Sequence, residues 1–245
     1  MTGIPALVIS TLDYGESDRI VRLLTPNGKL EAFAHGARRS KRRFAGALDT
    51  LQTIRVELAQ RSAHTRLVTL RSAVVERPRL GLRSELERIA LGAYCAELCY
   101  AVASADEETG VYDQLTELLN RLESGPATTA MRRVFELRLL PVLGYAPDLS
   151  GCVVCGASDA PAQVDFARGG RQCRRHAGPG PLVGPRTLQW AEDVLAGMQI
   201  EGAGGLDEEG MRRAVNGLSK PLDAFWEQLL ERRPKSLSLL NQLGL

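Results

Sequence analysis

Two groups of residues have the types and the spacing to do chemistry. The first reads Cys152-Val153-Val154-Cys155 and, after 17 residues, Cys173-Arg174-Arg175-His176. This C-x2-C-x17-C-x2-H pattern predicts a structural site for one Zn2+ ion. Each pair aims two donor atoms at the ion from a tight turn. Gly156 lets backbone N–H groups approach the thiolates, and Gly169-Gly170 supplies a turn that returns the second pair to the first. Four donors close a tetrahedron and leave no position for water, so the site holds a loop-rich module together instead of activating a nucleophile. A redox C-x-x-C would follow a strand and open a helix in a βαβ unit, a context this stretch lacks. Three thiolates and a neutral imidazole carry one excess negative charge, which Arg168, Arg171, Arg174 and Arg175 stand close enough in sequence to offset. Cys95 and Cys99 share a helix face, but no His or other Cys lies near them, and they read as core.

The second group is Arg38-Arg39-Ser40-Lys41-Arg42-Arg43, five cations in six residues, bracketed by Gly36 and Gly46. Such a loop suits a phosphate backbone, because each cation that neutralises a phosphate releases a counterion. Arg19, Arg22 and Lys29 extend the patch if their strands share a face, and Arg174 and Arg175 could reach a phosphate from the metal module. Phe44 reads as core, with base stacking the second reading. His35 and His64 are isolated and read as ordinary surface or turn residues.

The charge distribution points the same way. Residues 1–80 carry 14 Lys and Arg against 7 Asp and Glu, whereas the rest carries 17 against 22, on a chain of net charge +2. A basic first part implies a polyanionic partner, nucleic acid being the commonest. Catalytic motifs are missing: no phosphate-binding G-x-x-x-x-G-K-[ST], no H-E-x-x-H, no deaminase pattern and no G-x-S-x-G. Glu107-Glu108 and Glu208-Glu209 read as solvated carboxylates. The protein is therefore expected to be no enzyme. No apolar run approaches the roughly 18 residues of a membrane span. The N-terminus lacks the basic region of a signal peptide, and five unevenly spaced cysteines suit a reduced, cytoplasmic protein.

Elements must position these groups. Alternation in Ile54–Leu58, apolar runs at Ala6–Ser10 and Ile20–Leu24, and Asn27-Gly28 as a hairpin turn predict strands near 4–12, 18–25, 29–35, 48–60 and 65–76. Five strands in under 80 residues match the small oligonucleotide-binding (OB) barrel. From Ser84 the period becomes helical, with Ser84 and Glu87 as a capping box. Further helices are expected near 111–123 and 127–143, the latter ended or kinked by Pro141. Others should run from Pro185 to about 198, over 207–217 and over 220–232. Leu237–Leu243 could dock back as an apolar tail. The predicted fold is α+β: an OB-type β-barrel over 1–80, then an α-helical domain over 81–245 carrying a small zinc-ribbon-like module at about 150–178.

A succession of short segments resembles the bacterial RecO family of recombination and DNA-repair mediators. They are Tyr14-Gly15-Glu16-Ser17-Asp18, Leu24-Thr25-Pro26 with Gly28-Lys29, and Gly36-Ala37-Arg38-Arg39-Ser40-Lys41 with Arg43-Phe44. Phe135–Leu140 leads into Leu143-Gly144-Tyr145-Ala146-Pro147, and Cys152-x-x-Cys155-Gly156, Cys173 and Lys235-Ser236 follow. The resemblance spans nearly the whole chain. It implies an OB barrel, a helical domain with a zinc module, and binding of single- and double-stranded DNA with annealing of complementary strands. It also implies a RecR-type mediator partner, contact with the C-terminal tail of single-strand-binding protein, and loading of recombinase on coated DNA. Many members with the module have Cys at the fourth position, where this chain has His176. Two alternatives are an interaction scaffold working through the helical domain and an RNA-binding factor built from barrel and zinc module. A zinc enzyme would require His176 to leave its position to water.

Overall fold

The computed structural model describes residues 3–59, 67–198 and 203–245. Five strands form where apolar side chains alternate: β1 (Ile4–Tyr14), β2 (Asp18–Thr25), β3 (Gly28–Ala34), β4 (Thr53–Leu58) and β5 (Val68–Arg77). They close a barrel in the order β1-β2-β3-β5-β4. All pairings are antiparallel except β3 with β5, where Ala32 pairs with Val68 and Phe33 with Thr69. This is the OB-type barrel that the strand count predicts. Ala6, Val8, Val21, Leu23, Ala32, Ile54, Val56 and Leu70 fill its interior. The beginning of the expected fifth strand, with His64, lies outside the described residues, as does residue 60.

Two details of the barrel differ from expectation. The fourth strand begins at Thr53 instead of 48, because Ala47 and Leu48, with Ala37 and Phe44, turn inward to fill the barrel core. The β2–β3 hairpin turns on Pro26-Asn27, since Thr25 pairs with Gly28, and only Gly28 has positive φ. Gly28 is required by close approach: a Cβ there would meet the Ser104 carbonyl oxygen at 2.2 Å.

The helices are α1 (Leu86–Val102), α2 (Val111–Leu122), α3 (Thr129–Val142), α4 (Pro185–Leu195), α5 (Glu208–Leu229) and α6 (Leu237–Gln242). Between α3 and α4 lies a two-stranded ribbon of β6 (Gln163–Asp165) and β7 (Gly170–Gln172). Ser84 does not cap α1: it ends a 3-10 turn, where its hydroxyl donates to the Gly81 carbonyl at 2.8 Å, and Glu85 occupies the cap position. Pro141 sits in the last turn of α3, which ends one residue later. The two helices expected over 207–217 and 220–232 are one. Pro221 lies inside α5, and the buried stripe of Ala214, Val215, Leu218, Leu222, Phe225 and Trp226 continues through it. Burying that stripe offsets the one backbone hydrogen bond lost at proline.

The chain forms two compact units, Met1–Pro126 with Pro234–Leu243, and Ala127–Arg233 with Gly244–Leu245. In the first, Arg79 follows the barrel with a left-handed backbone (φ 50°) and is 2% exposed. Its guanidinium donates to the Thr53 hydroxyl at 3.1 Å and to Asn120 of α2 at 2.9 Å. The tail docks back as predicted: Glu97 of α1 accepts from the Ser236 amide and hydroxyl at 3.1 and 3.0 Å. Cys95 and Cys99 are fully buried in α1, and burial pushes the Cys99 thiol far above its ordinary range. In the second unit, buried Glu136 of α3 accepts from Arg132 at 2.8 Å and Arg133 at 2.7 Å, and Arg133 also reaches Asp223 of α5 at 2.7 Å. Among the described residues no helix is long and apolar enough to cross a membrane.

Candidate functional site

The four predicted ligands converge. The donor atoms of Cys152, Cys155, Cys173 and His176 lie within 4.8 Å of one another. Cys155 Sγ is 3.8 Å from Cys173 Sγ, and His176 Nδ1 is 3.5 Å from Cys152 Sγ and 3.3 Å from Cys173 Sγ. A tetrahedral ion with metal–sulfur bonds of about 2.3 Å and metal–nitrogen bonds of about 2.0 Å has S···S edges of about 3.8 Å and S···N edges of about 3.6 Å. Three of the six donor–donor distances match such edges and all six lie within 4.8 Å, so the four side chains could close on such an ion, with Nδ1 as the histidine donor.

Local backbone sets this geometry. Gly156, at φ 74°, donates its N–H to the Cys152 carbonyl at 2.7 Å and closes the first turn. The N–H groups of His176 and Ala177 both donate to the Cys173 carbonyl at 2.9 Å and close the second. The ribbon turns over 166–169, so Gly169 lies in the turn as predicted while Gly170 opens β7 opposite Asp165, and a Cβ on Gly170 would lie 2.0 Å from the Asp148 carbonyl oxygen. The Cys152 thiol is drawn down to about 5, chiefly by the Cys173 N–H, helped by the Val154 and Cys155 N–H groups and His176. Cys155 moves upward. The Ala157 N–H favours its thiolate, but desolvation and the Cys152 and Cys173 sulfurs outweigh it.

Arg171 braces the module from within. It is 6% exposed, and its guanidinium donates to the carbonyls of Leu149 and Ser150 (both 3.4 Å), of Ser158, and of Asp159 (2.6 Å). Those carbonyls flank the first cysteine pair on both sides. Its own carbonyl accepts from the Val153 N–H at 2.9 Å. The sequence presents Arg171 as one of four arginines able to offset thiolate charge, and conceals that it ties the loops. Arg174 and Arg175 are exposed beside His176 and make no ion pair among the described residues. Val153 and Val154, between the first two cysteines, are 39% and 60% exposed.

The basic loop is anchored at one end of the barrel. The Gly36 N–H donates to Asp18 Oδ1 at 2.7 Å, the Arg38 N–H to the Ser17 carbonyl at 2.9 Å, and the Arg43 side chain to the His35 carbonyl at 2.6 Å. Phe44, 3% exposed, is core and anchors the loop from below. Lys41, Arg42 and Arg43 remain exposed. Lys41 and Arg42 make no ion pair among the described residues, whereas Arg19 and Arg38 share Asp13 (2.9 and 3.4 Å) and Arg39 faces Glu16 at 3.7 Å. Lys29 stands apart, at the opposite end of β3. Its ammonium lies 5.8 Å from the Tyr100 ring centroid of α1, as does the Arg22 guanidinium.

The same barrel end carries a feature that sequence reasoning missed. Tyr14 and Phe33 meet edge to face with centroids 5.4 Å apart, and Phe33 and His35 lie 4.5 Å apart. The signal was available only through register: Leu12 pairs with Ile20 and Ile20 with Phe33, so β1, β2 and β3 bring these side chains to one outer face.

Fold and site together define a class: an OB-type barrel with an exposed basic loop, followed by helices that carry a compact Cys/His centre fit for a metal ion. Comparison with known proteins places it further. The family models "Recombination protein O N terminal" and "Recombination protein O C terminal" match residues 1–79 and 83–238. The DNA repair protein RecO of Anaeromyxobacter sp. (strain K) is 38% identical over 252 residues, covering 100% of this chain and 96% of the relative. That of Myxococcus xanthus (strain DK1622) is 35% identical over 245 residues, covering 98% and 97%. The chain belongs to the RecO family of DNA repair proteins.

Proposed function

We propose that this protein is a non-enzymatic DNA-binding and strand-annealing mediator of recombinational repair. The observation that carries the reading is the exposed cationic loop at the end of the OB barrel, in a chain of the RecO family. Residues 1–80 would be the principal DNA-binding part and 81–245 the helical domain, with its module at about 150–178. Lys41, Arg42 and Arg43 are the best placed for phosphates. Arg38, Arg39 and Arg19 join them if phosphate oxygens displace Asp13 and Glu16, which are at least half exposed. Arg174 and Arg175 would add contacts from the module, and Lys29 would contribute little beside Tyr100. Holding two strands by their phosphates lets them pair without ATP and without sequence preference. Zinc is the ion the module would hold, on the strength of its three sulfurs, one nitrogen and tetrahedral edges. With all four positions filled by side chains, its part is structural. The family resemblance supports a RecR-type partner, the tail of single-strand-binding protein, recombinase loading on coated DNA, and a cytoplasmic, nucleoid-associated setting.

The test is titration of labelled single-stranded DNA at several salt concentrations, with duplex DNA and RNA as competitors. Affinity should fall with a log–log slope of roughly −0.7 per neutralised phosphate. An Arg39→Glu, Lys41→Glu, Arg42→Glu variant should lose most of its affinity while keeping its fold. Unchanged affinity in that folded variant refutes the loop as the binding element, and tighter binding of structured RNA would favour an RNA-binding factor. A second reading, an interaction scaffold, draws on the exposed Val153-Val154 tip. Pull-down with the acidic tail of single-strand-binding protein, lost on Val153→Ser, Val154→Ser and indifferent to DNA, would favour it.

A further inference from the structure

The outer face of the barrel beside the basic loop is apolar and aromatic where a solvated surface would be polar. Leu12 is 64% exposed and Tyr14 55%. Phe33 is half-buried between Tyr14 and the His35 ring, whose side chain is 62% exposed. Exposed apolar groups clustered in this way mark a binding surface.

We propose that Tyr14, Phe33 and His35 form a stacking platform for unpaired bases of single-stranded DNA whose phosphates lie on the neighbouring cationic loop. The inference rests on the DNA-binding reading and adds to it a base-dependent subsite. Three observations select this occupant. First, the rings lie on β1 and at the β3 end, on the face of an OB barrel suited to an extended strand. Second, the loop is tied to the same end: Arg38 donates to the carbonyls of Gly15 and Glu16 at 3.3 and 3.4 Å, directly after Tyr14, and Arg43 donates to the His35 carbonyl. Bases on the rings therefore put their phosphates within reach of cations. Third, the carboxylates at this end are already engaged: Asp13 and Glu16 face Arg19, Arg38 and Arg39, and Asp18, 3.8 Å from His35 Nδ1, accepts from the Gly36 N–H and the Ser17 hydroxyl. Stacking tolerates any sequence, because every base has a π face. Duplex bases are already stacked and paired, so the platform is closed to them. The loop then holds any nucleic acid, and the rings favour the unpaired strand that an annealing protein must hold first.

The experiment compares an oligothymidylate with an abasic oligonucleotide of equal length and phosphate number, each titrated at several salt concentrations with a duplex in parallel. The proteins are the full chain, Tyr14→Phe, and the double variant Tyr14→Ala, His35→Ala. The half-buried Phe33 is left intact to preserve the strands. The wild type should bind the thymidylate about tenfold or more tightly than the abasic strand, since stacking adds roughly 5- to 150-fold per base. The double variant should lose that difference while its salt slope and duplex affinity stay unchanged, and Tyr14→Phe should keep it. Equal binding of both oligonucleotides by the wild type overturns the platform and leaves phosphate binding standing. Equal loss on both oligonucleotides in the double variant also overturns it, as does a wild-type dimer that the double variant converts to monomer with base dependence retained. Absence of any binding at low salt overturns the DNA-binding reading as a whole. If the double variant fails to fold, His35→Ala, at an exposed side chain, takes its place and should reduce the difference between the two oligonucleotides.

Discussion

The Cys/His module and the basic barrel loop are both dense in chemistry, yet they are built on opposite plans. In the module, four donors from two short segments converge on one point, within 4.8 Å of each other. In the loop, the cations are spread out: Lys41 and Arg42 are exposed and make no ion pair among the described residues, while Arg43, also exposed, donates to the His35 carbonyl above a buried Phe44. A coordinated ion is lost when one ligand moves by an ångström, so the module needs Arg171, Gly156 and Gly170 to set its backbone. A phosphate backbone is long and mobile, so the loop needs only to be held at the right barrel end with its charges outward. Convergence makes every residue of the module critical. Divergence makes each cation of the loop a small, separable contribution.

The largest effect should follow from a ligand. Cys173→Ser should reduce bound metal from one ion per chain to near none, measured by elemental analysis of the purified protein. Structural zinc in small finger peptides contributes about 10–16 kcal/mol of binding energy at pH 7. Amide exchange should therefore rise sharply across residues 148–183, while α1 and the barrel keep their protection. Full metal retention in this variant and also in Cys152→Ser, Cys173→Ser would show that the cluster is not the ion's site.

Next comes Arg171→Met, which removes a buried cation from four carbonyls. Leaving these acceptors without a partner should cost about 2–4 kcal/mol. Denaturant unfolding of metal-loaded and metal-free protein checks this, with competition against a chromophoric chelator. Weaker metal affinity with unchanged stability elsewhere would make Arg171 a positioning residue for the centre. Wild-type metal affinity would show the loops to be set by their backbone turns alone.

Much of this comparison was legible in the residues, for a physical reason. Both groups are local in sequence: the ligands fall within Cys152–His176 and the cations within Arg38–Arg43. The barrel was legible because alternation reports one buried face per strand. Part of what escaped depends on partners distant in sequence, and part on local competition that a periodic pattern does not report. Lys29 looked like part of the cationic patch until β3 carried it to Tyr100. Ser84 looked like a cap until a 3-10 turn engaged its hydroxyl. Pro221 looked like a helix boundary, but the stripe from Ala214 to Trp226 packs continuously. Tyr14 and His35 gave no local signal, because cross-strand register brings them together with Phe33.

Single changes in the loop should be small and graded. Lys41→Ala or Arg42→Ala should make the salt slope of single-strand binding less negative by about 0.7 each. Stability should stay within about 0.5 kcal/mol of wild type, as for other exposed positions. Arg19→Ala should change the slope less, because Arg19 is paired to Asp13 at 2.9 Å. Equal slope changes for Arg19 and Lys41 would mean that DNA displaces the carboxylate fully, and the distinction between paired and unpaired cations would fail.

The smallest effect concerns how the loop is fastened. Asp18 accepts the Gly36 N–H at 2.7 Å and the Ser17 hydroxyl at 3.0 Å. The Gly36 N–H, more than any other group, holds its carboxyl below the ordinary carboxylate range. In the unfolded chain Asp18 would take up a proton at higher pH than in the fold. Its contribution is therefore complete above about pH 5 and is lost as pH falls below about 4, through the lowered folded value. The Gly36 amide proton shift should show an acid titration with a midpoint below that of a model aspartate, separable from any step contributed by the His35 ring 3.8 Å from Asp18. In Asp18→Asn the neutral amide oxygen still accepts the N–H, so the titration should vanish. Single-strand affinity at neutral pH should be unchanged or slightly higher, one negative charge having left the cationic end of the barrel. An acid Gly36 titration that persists in the variant would assign it to another group, and the loop would then owe its place at the barrel end to Phe44 and to the Arg38 and Arg43 hydrogen bonds.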